Sequence, residues 1–111
     1  MSRRTPEAFR GARLADAVAR LSAEAPFDVI FQDGADISVE LYKPVGEDRQ
    51  KPHNRDELYI VAMGSGVFDL KGEKISFGQG DLLFAPAHAP HHFEDFSVDF
   101  ACWVVFYGAE K

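Results

Sequence analysis

The sequence predicts an all-β protein, an antiparallel β-barrel or jelly roll preceded by a helical segment. Three observations carry that reading. Between residues 27 and 107 the chain breaks into short runs of strand character, each bounded by turn chemistry. Within those runs residues alternate, Ile37, Val39 and Leu41 against Ser38, Glu40 and Tyr42. Ahead of residue 27 the pattern changes to an Ala-rich stretch with helical spacing.

The helical segment is expected over residues 5–24. Thr5 suits an N-cap, Pro6 the first helical position and Glu7 the positive end of the helix dipole. Leu14, Val18 and Leu21 fall at i, i+4, i+7, with Arg10, Arg13 and Arg20 at other positions. Gly11 weakens the first half by roughly 1 kcal/mol, and Pro26 stops the helix. Residues 1–26 are therefore read as a helical segment and 27–111 as one barrel domain.

The strands follow in order as 27–32, 37–43, 58–63, 67–70, 74–77, 82–85, 91–96 and 100–107. Asp33-Gly34-Ala35-Asp36, Gly64-Ser65-Gly66, Lys71-Gly72-Glu73, Gly78-Gln79-Gly80-Asp81 and the stretch from Pro86 to Pro90 separate them. The last strand is apolar at both parities, Phe100, Cys102, Val104 and Phe106 on one and Ala101, Trp103, Val105 and Tyr107 on the other, which predicts cover on both faces. Residues 46–55 form the most polar stretch and read as a loop. Glu40 and Tyr42, on the polar parity of their strand, read as solvated or interface residues, with the pocket mouth as the alternative.

Composition narrows the function classes. The chain has 111 residues, 46% hydrophobic and 27% charged, the balance of an ordinary globular domain. Its net charge is -6, which disfavours nucleic acid as a partner, since phosphate binding needs a basic stripe. No apolar run reaches the roughly 18 residues of a membrane span, and the N-terminal stretch has no apolar core of a signal peptide. The single cysteine, Cys102, forms no internal disulfide, is read as a core residue, and fits a reducing, cytoplasmic compartment. Gly64-Ser65-Gly66 is a turn and not a phosphate loop, because no helix follows.

All four histidines, His53, His88, His91 and His92, lie in or beside turns, and Glu57 opens a strand four residues after His53. Two imidazoles and a carboxylate make a two-His-one-carboxylate set if His53, Glu57 and His91 converge from different strands. Spacing alone leaves open whether they meet, because solvated loop histidines and a surface carboxylate have the same sequence appearance. Nitrogen and carboxylate donors suit Fe, Mn, Ni, Zn or Co. Alternation sends His91 and His92 to opposite faces, and His91 is expected inward with His92 at the rim. Lys51, Tyr59, Phe68, His92 and Phe106 are candidate pocket residues.

Residues 45–95 resemble the two motifs of the cupins, small antiparallel β-barrels. In the first, G-x5-H-x-H-x3-E-x6-G, the second His falls on His53, the Glu on Glu57 and the closing Gly on Gly64. The first His falls on Lys51, and the opening Gly on Val45, with Gly46 one place off. In the second, G-x5-P-x-G-x2-H-x3-N, Gly80, Pro86 and His91 fit, while His88 stands for the internal Gly and Asp95 for the Asn. The resemblance implies a divalent metal ion held by His53, Glu57 and His91, with His88 or His92 available as a further ligand. Lys51 has no lone pair at neutral pH and does not replace an imidazole, but turned inward it would steer an anionic substrate.

Three functions are compatible with this reading. One is a small metal-dependent enzyme, of dioxygenase or isomerase type, acting on a small organic molecule in the barrel pocket. The second is a non-catalytic module that binds a small molecule or a metal. The third is an accessory protein with a relic site. The resemblance also implies a homodimer formed through sheet contacts.

Overall fold

The computed structural model describes residues 9–34 and 36–111. Eight strands follow one short helix among them: α1 (Leu14–Val18), β1 (Phe27–Asp33), β2 (Ile37–Tyr42), β3 (Asp56–Met63), β4 (Gly66–Leu70), β5 (Glu73–Phe77), β6 (Leu82–Ala85), β7 (His91–Glu94) and β8 (Ala101–Tyr107). They make two antiparallel sheets, a large one in the order β1-β2-β8-β3-β6 and a small one in the order β5-β4-β7. No strand pairing joins the two sheets among the described residues. The protein is thus mostly β, with its sheets facing each other over one interior.

The helix is much shorter than the 20 residues the periodicity predicted. Gly11 sits at φ +147°, outside helical backbone, and α1 starts only after Arg13. It ends by Val18, and Ser22 and Ala25 close a reciprocal backbone turn ahead of Pro26. Thr5, Pro6 and Glu7 lie outside the described residues. What remains of the segment packs on the outer face of the large sheet, where Ala17, Leu14, Val18 and Leu21 cluster with Ile30, Leu41, Ala101 and Trp103.

This cover explains two features of the sequence. Ala101 and Trp103 of β8 contact the helical segment while Cys102, Val104 and Phe106 face inward, so the strand is apolar at both parities. On β2 the helix covers Leu41, and the other parity, carrying Tyr42, joins the interior. Tyr42, expected on a solvated face, is buried.

The interior is aromatic. Phe68, Phe77, Phe93 and Phe100 interlock with ring centroids 4.8–5.6 Å apart, in the offset and edge-on arrangements that ring quadrupoles favour. Tyr59 and Val61 of β3 and Leu83 and Ala85 of β6 complete that cluster from the large sheet. Gly64 shows why the turn after β3 needs glycine. Its φ is +85°, and a Cβ there would lie 2.5 Å from Phe100 Cα.

Candidate metal centre and adjoining cavity

Alternation along β3 places Glu57, Tyr59 and Val61 on the interior face. Glu57 sits opposite Phe106 of β8 and Ala85 of β6, which leaves its carboxylate 1% exposed in the middle of the large sheet. His91 opens β7 on the small sheet and points inward, while His92 points out. His53 comes from the loop before β3. Its carbonyl accepts a hydrogen bond from the His88 N–H at 2.7 Å, and its ring stands edge-on to Phe106 at 4.9 Å.

The three side chains meet. His53 Nδ1 lies 2.8 Å from Glu57 Oε1, His91 Nε2 lies 3.6 Å from the same oxygen, and the three ligand atoms all fall within 4.8 Å of one another. His91 Nδ1 is 2.8 Å from the Ala89 carbonyl oxygen, which can only accept. The ring therefore donates from Nδ1, and its Nε2 faces Glu57 and the Tyr59 hydroxyl. Such an outer hydrogen bond fixes the tautomer and orientation of a metal-ligating histidine. The hydrogen bond to Glu57 raises the His53 pKa, against the opposing effect of burial.

A fourth group stands among them. The Tyr59 hydroxyl is 2.5 Å from Glu57 Oε2, 2.9 Å from His91 Nε2 and 3.1 Å from Gln50 Oε1. One hydroxyl proton thus faces three acceptors. Two imidazole nitrogens and a carboxylate gathered at one point suit a divalent first-row ion once the imidazoles are neutral. The residues present fit a metal on this ground. Burial, together with the neighbouring Glu57 carboxylate, raises the Tyr59 pKa and keeps the phenol protonated.

Above the triad, a cavity of about 260 Å³ is lined by Pro26, Phe27, Glu40, Tyr42, Arg49, Gln50, His53, Val104 and Phe106. Of the candidate pocket residues, Phe106 lines it. Tyr59 lies beneath, fully buried with its hydroxyl on the triad, and Phe68 backs the site with its ring 6.1 Å from that of His91. Lys51 is exposed and is not among the lining residues. An inward role for it is thereby corrected: the chain turns so that its neighbour Gln50 points in. His92 is corrected likewise. It is carried outward by strand alternation to pair with Glu94 at 3.1 Å on the outer face of the small sheet. His88, exposed, contributes its backbone to the His53 loop rather than its ring to the triad.

Asp48 is the residue that sequence reasoning missed. Its Oδ1 accepts from the Tyr42 hydroxyl at 2.5 Å and from the Gln50 N–H at 3.0 Å, and its Oδ2 from Gln50 Nε2 at 2.8 Å and from the Phe93 N–H at 2.8 Å. One carboxylate thus ties the 46–51 loop to β2 and β7. Nothing in the polar run Glu47-Asp48-Arg49-Gln50 distinguishes it from its neighbours. Asp69, His92 and Glu94 form a second group with metal-ligand chemistry, but it is on the surface and Lys74 already pairs with both acids.

Fold and site together define a small domain of two packed antiparallel sheets with a largely buried histidine–carboxylate cluster. The chain belongs to the cupin family: the profile of the cupin domain matches residues 38–106. An uncharacterized protein of Streptomyces coelicolor is 36% identical over 59 residues, which are 53% of this chain and 56% of that protein. The match thus spans little more than half the length of that relative. Among solved structures, the TT1209 protein from Thermus thermophilus superposes with a TM-score of 0.68 at 25% identity, over 88% of this chain and 97% of that one. Streptomyces Pac13, described as a nucleoside dehydratase, superposes with a TM-score of 0.62 at 20% identity, over 77% of this chain and 70% of that one. These likenesses are in fold.

Proposed function

We propose that this cupin binds one divalent metal ion through His53, Glu57 and His91 and acts as a metal-dependent enzyme, of dioxygenase or isomerase type, on a small organic molecule in the adjoining cavity. The observation that carries the reading is the convergence of three ligand atoms within 4.8 Å from a loop, the large sheet and the small sheet. When bound, the ion supplies Lewis acidity toward a substrate oxygen, or an open position for a small reactant.

The chain's own residues do the rest. The Ala89 carbonyl orients His91, and the aromatic interior beneath keeps water from the buried side of the cluster. Tyr59 holds a proton beside Glu57 and His91 and donates it to the Glu57 carboxylate, which fixes that side chain in the cluster. His53 and Gln50 are the polar groups shared between cluster and cavity.

The test is metal titration by calorimetry with Fe(II), Mn(II), Co(II), Ni(II) and Zn(II), on untagged wild type and on Glu57→Ala. Saturable binding lost in the variant supports the reading, and binding unchanged by the variant refutes it. One observation favours a second reading, a binding module without turnover: Lys51 occupies the place of the motif's first His and faces away, so the ligand set is one imidazole short. Oxygen uptake or product formation from the bound small molecule separates the two.

We also read the protein as a homodimer. Its support is an exposed apolar patch of Ile60 on β3 with Leu82 and Phe84 on β6, Leu82 being 63% exposed; among the described residues β6 pairs with β3 alone and is an edge strand. Such an edge is costly to leave in water. Light scattering should give twice the chain mass for the wild type and the single-chain mass for Leu82→Glu.

A further inference from the structure

We propose that Gln50 is the specificity-determining residue of the cavity, and that it selects a small, uncharged molecule presenting an O–H or N–H donor beside an apolar face. The inference rests on the reading that the cavity beside the triad is where the ligand binds. It does not require the metal.

The argument starts from a side chain whose orientation is forced. A carboxylate only accepts, so the Gln50 amide group 2.8 Å from Asp48 Oδ2 is the NH2. The amide oxygen therefore points the other way, to within 3.1 Å of the Tyr59 hydroxyl. That hydroxyl has a single proton and a shorter contact with Glu57 at 2.5 Å, so the Gln50 oxygen keeps accepting capacity toward the cavity it lines. The second bond to Asp48, from the Gln50 backbone N–H at 3.0 Å, fixes the main chain as well. A pre-oriented acceptor discriminates strongly, because a ligand without a donor leaves it unpaired.

The other walls set the rest of the ligand. Val104 and Phe106 form an apolar floor and Phe27 stands at the mouth, 55% exposed. The volume, about 260 Å³, is below the roughly 300–1,000 Å³ of pockets for drug-sized ligands. Three titratable groups reach the wall, Arg49, His53 and Glu40. The Arg49 guanidinium donates its Nε to Glu47 at 2.8 Å and the His53 ring faces Glu57 at 2.8 Å, so each basic group already has an acid of its own, while Glu40 adds a carboxylate. A carboxylate ligand would set lone pairs against the Gln50 oxygen, with Glu40 nearby. This reverses the preference that an inward Lys51 would have given.

The test uses phenol, anisole and benzoate as probes on the full-length protein as purified, with affinities from titration by ligand-observed NMR and metal content measured in parallel. Phenol should bind at least tenfold more tightly than anisole, with benzoate weaker than phenol. Gln50→Met keeps the bulk and removes the amide, and should bring phenol to within about twofold of anisole without changing anisole. Lys51→Ala should change none of the three. If Gln50→Met does not fold, Gln50→Asn, which withdraws the oxygen by one methylene, serves in its place. Equal binding of phenol and anisole by the wild type overturns the assignment. So does tighter binding of benzoate, a donor preference that survives loss of Gln50, or binding of none of the probes at their solubility limits. Because metal content is read separately, a metal-free protein that still prefers phenol refutes the metal reading and leaves this one standing.

Discussion

Asp48→Asn removes one acceptor oxygen and changes nothing in size. Two donors, Gln50 Nε2 and the Phe93 N–H, each 2.8 Å from Oδ2, would then face either an NH2 group or empty space. Flipping the amide instead leaves only the Gln50 N–H in conflict, because the Tyr42 hydroxyl can turn to accept from the NH2. That route loses one bond to a charged acceptor and weakens the bonds of Gln50 Nε2 and the Phe93 N–H to those of a neutral one, together about the worth of a second. Bonds to charged groups contribute about 1.5–3 kcal/mol each. Asp48 is only partly buried, so the low end applies and the expected loss is about 3 kcal/mol. For a domain of this length 1 kcal/mol moves Tm by roughly 4 °C, which gives a fall of about 12 °C. Thermal and urea unfolding followed by far-UV circular dichroism at neutral pH measures it, with an unchanged urea m-value as the check that the unfolding reaction is the same. A variant within 2 °C of the wild type would refute the view that this carboxylate ties the 46–51 loop to β2 and β7, and with it the basis for a fixed Gln50.

Gly64→Ala should destabilise by about 3 kcal/mol, because it combines a left-handed backbone position with a Cβ 2.5 Å from the Phe100 backbone; Ala at Gly72, where φ is +87° but space is open, should cost only about 1–2 kcal/mol. Equal effects in the two unfolding curves would contradict the close approach. Burial, and next its hydrogen bond to Asp48, raises the Tyr42 pKa. A folded pKa above the unfolded value of about 10 means that the contribution is complete below about pH 10 and is lost as pH rises through the folded value. Absorbance at 295 nm should show Tyr42 ionising only as the protein unfolds in alkali, and Tyr42→Phe should remove that part of the alkaline loss.

Much of the fold is legible in the sequence. Turn chemistry and alternation place all eight strands to within two residues at each end. The strand at 91 stops early, at Glu94, because Asp95 sits at φ +51°. Asp95 and His88 are where this chain departs from the second cupin motif, and His88 is at φ +67°. Both occupy left-handed backbone, where Gly or Asn is easiest and Asp and His are among the better substitutes. The departures are therefore conformationally conservative.

The helix was the least legible element, since a short segment takes its stability from packing on the sheet rather than from propensity. The candidate site divides the same way. Strand parity was enough to send Glu57 and His91 inward and His92 outward. It could not say whether Lys51 or Gln50 turns in, because that depends on an irregular loop held by one carboxylate. A single aspartate in a polar run carries no local signal of its four partners.

The central claim is that His53, Glu57 and His91 form one metal site. Elemental analysis of untagged protein, after equilibration with a mixture of first-row divalent ions and removal of loosely bound metal, tests it most directly when done beside His53→Ala, Glu57→Ala and His91→Ala. Close to one ion per chain in the wild type, and almost none in each variant that still folds, is the predicted result. A wild type that retains no metal, or variants that retain as much as it does, would contradict the claim.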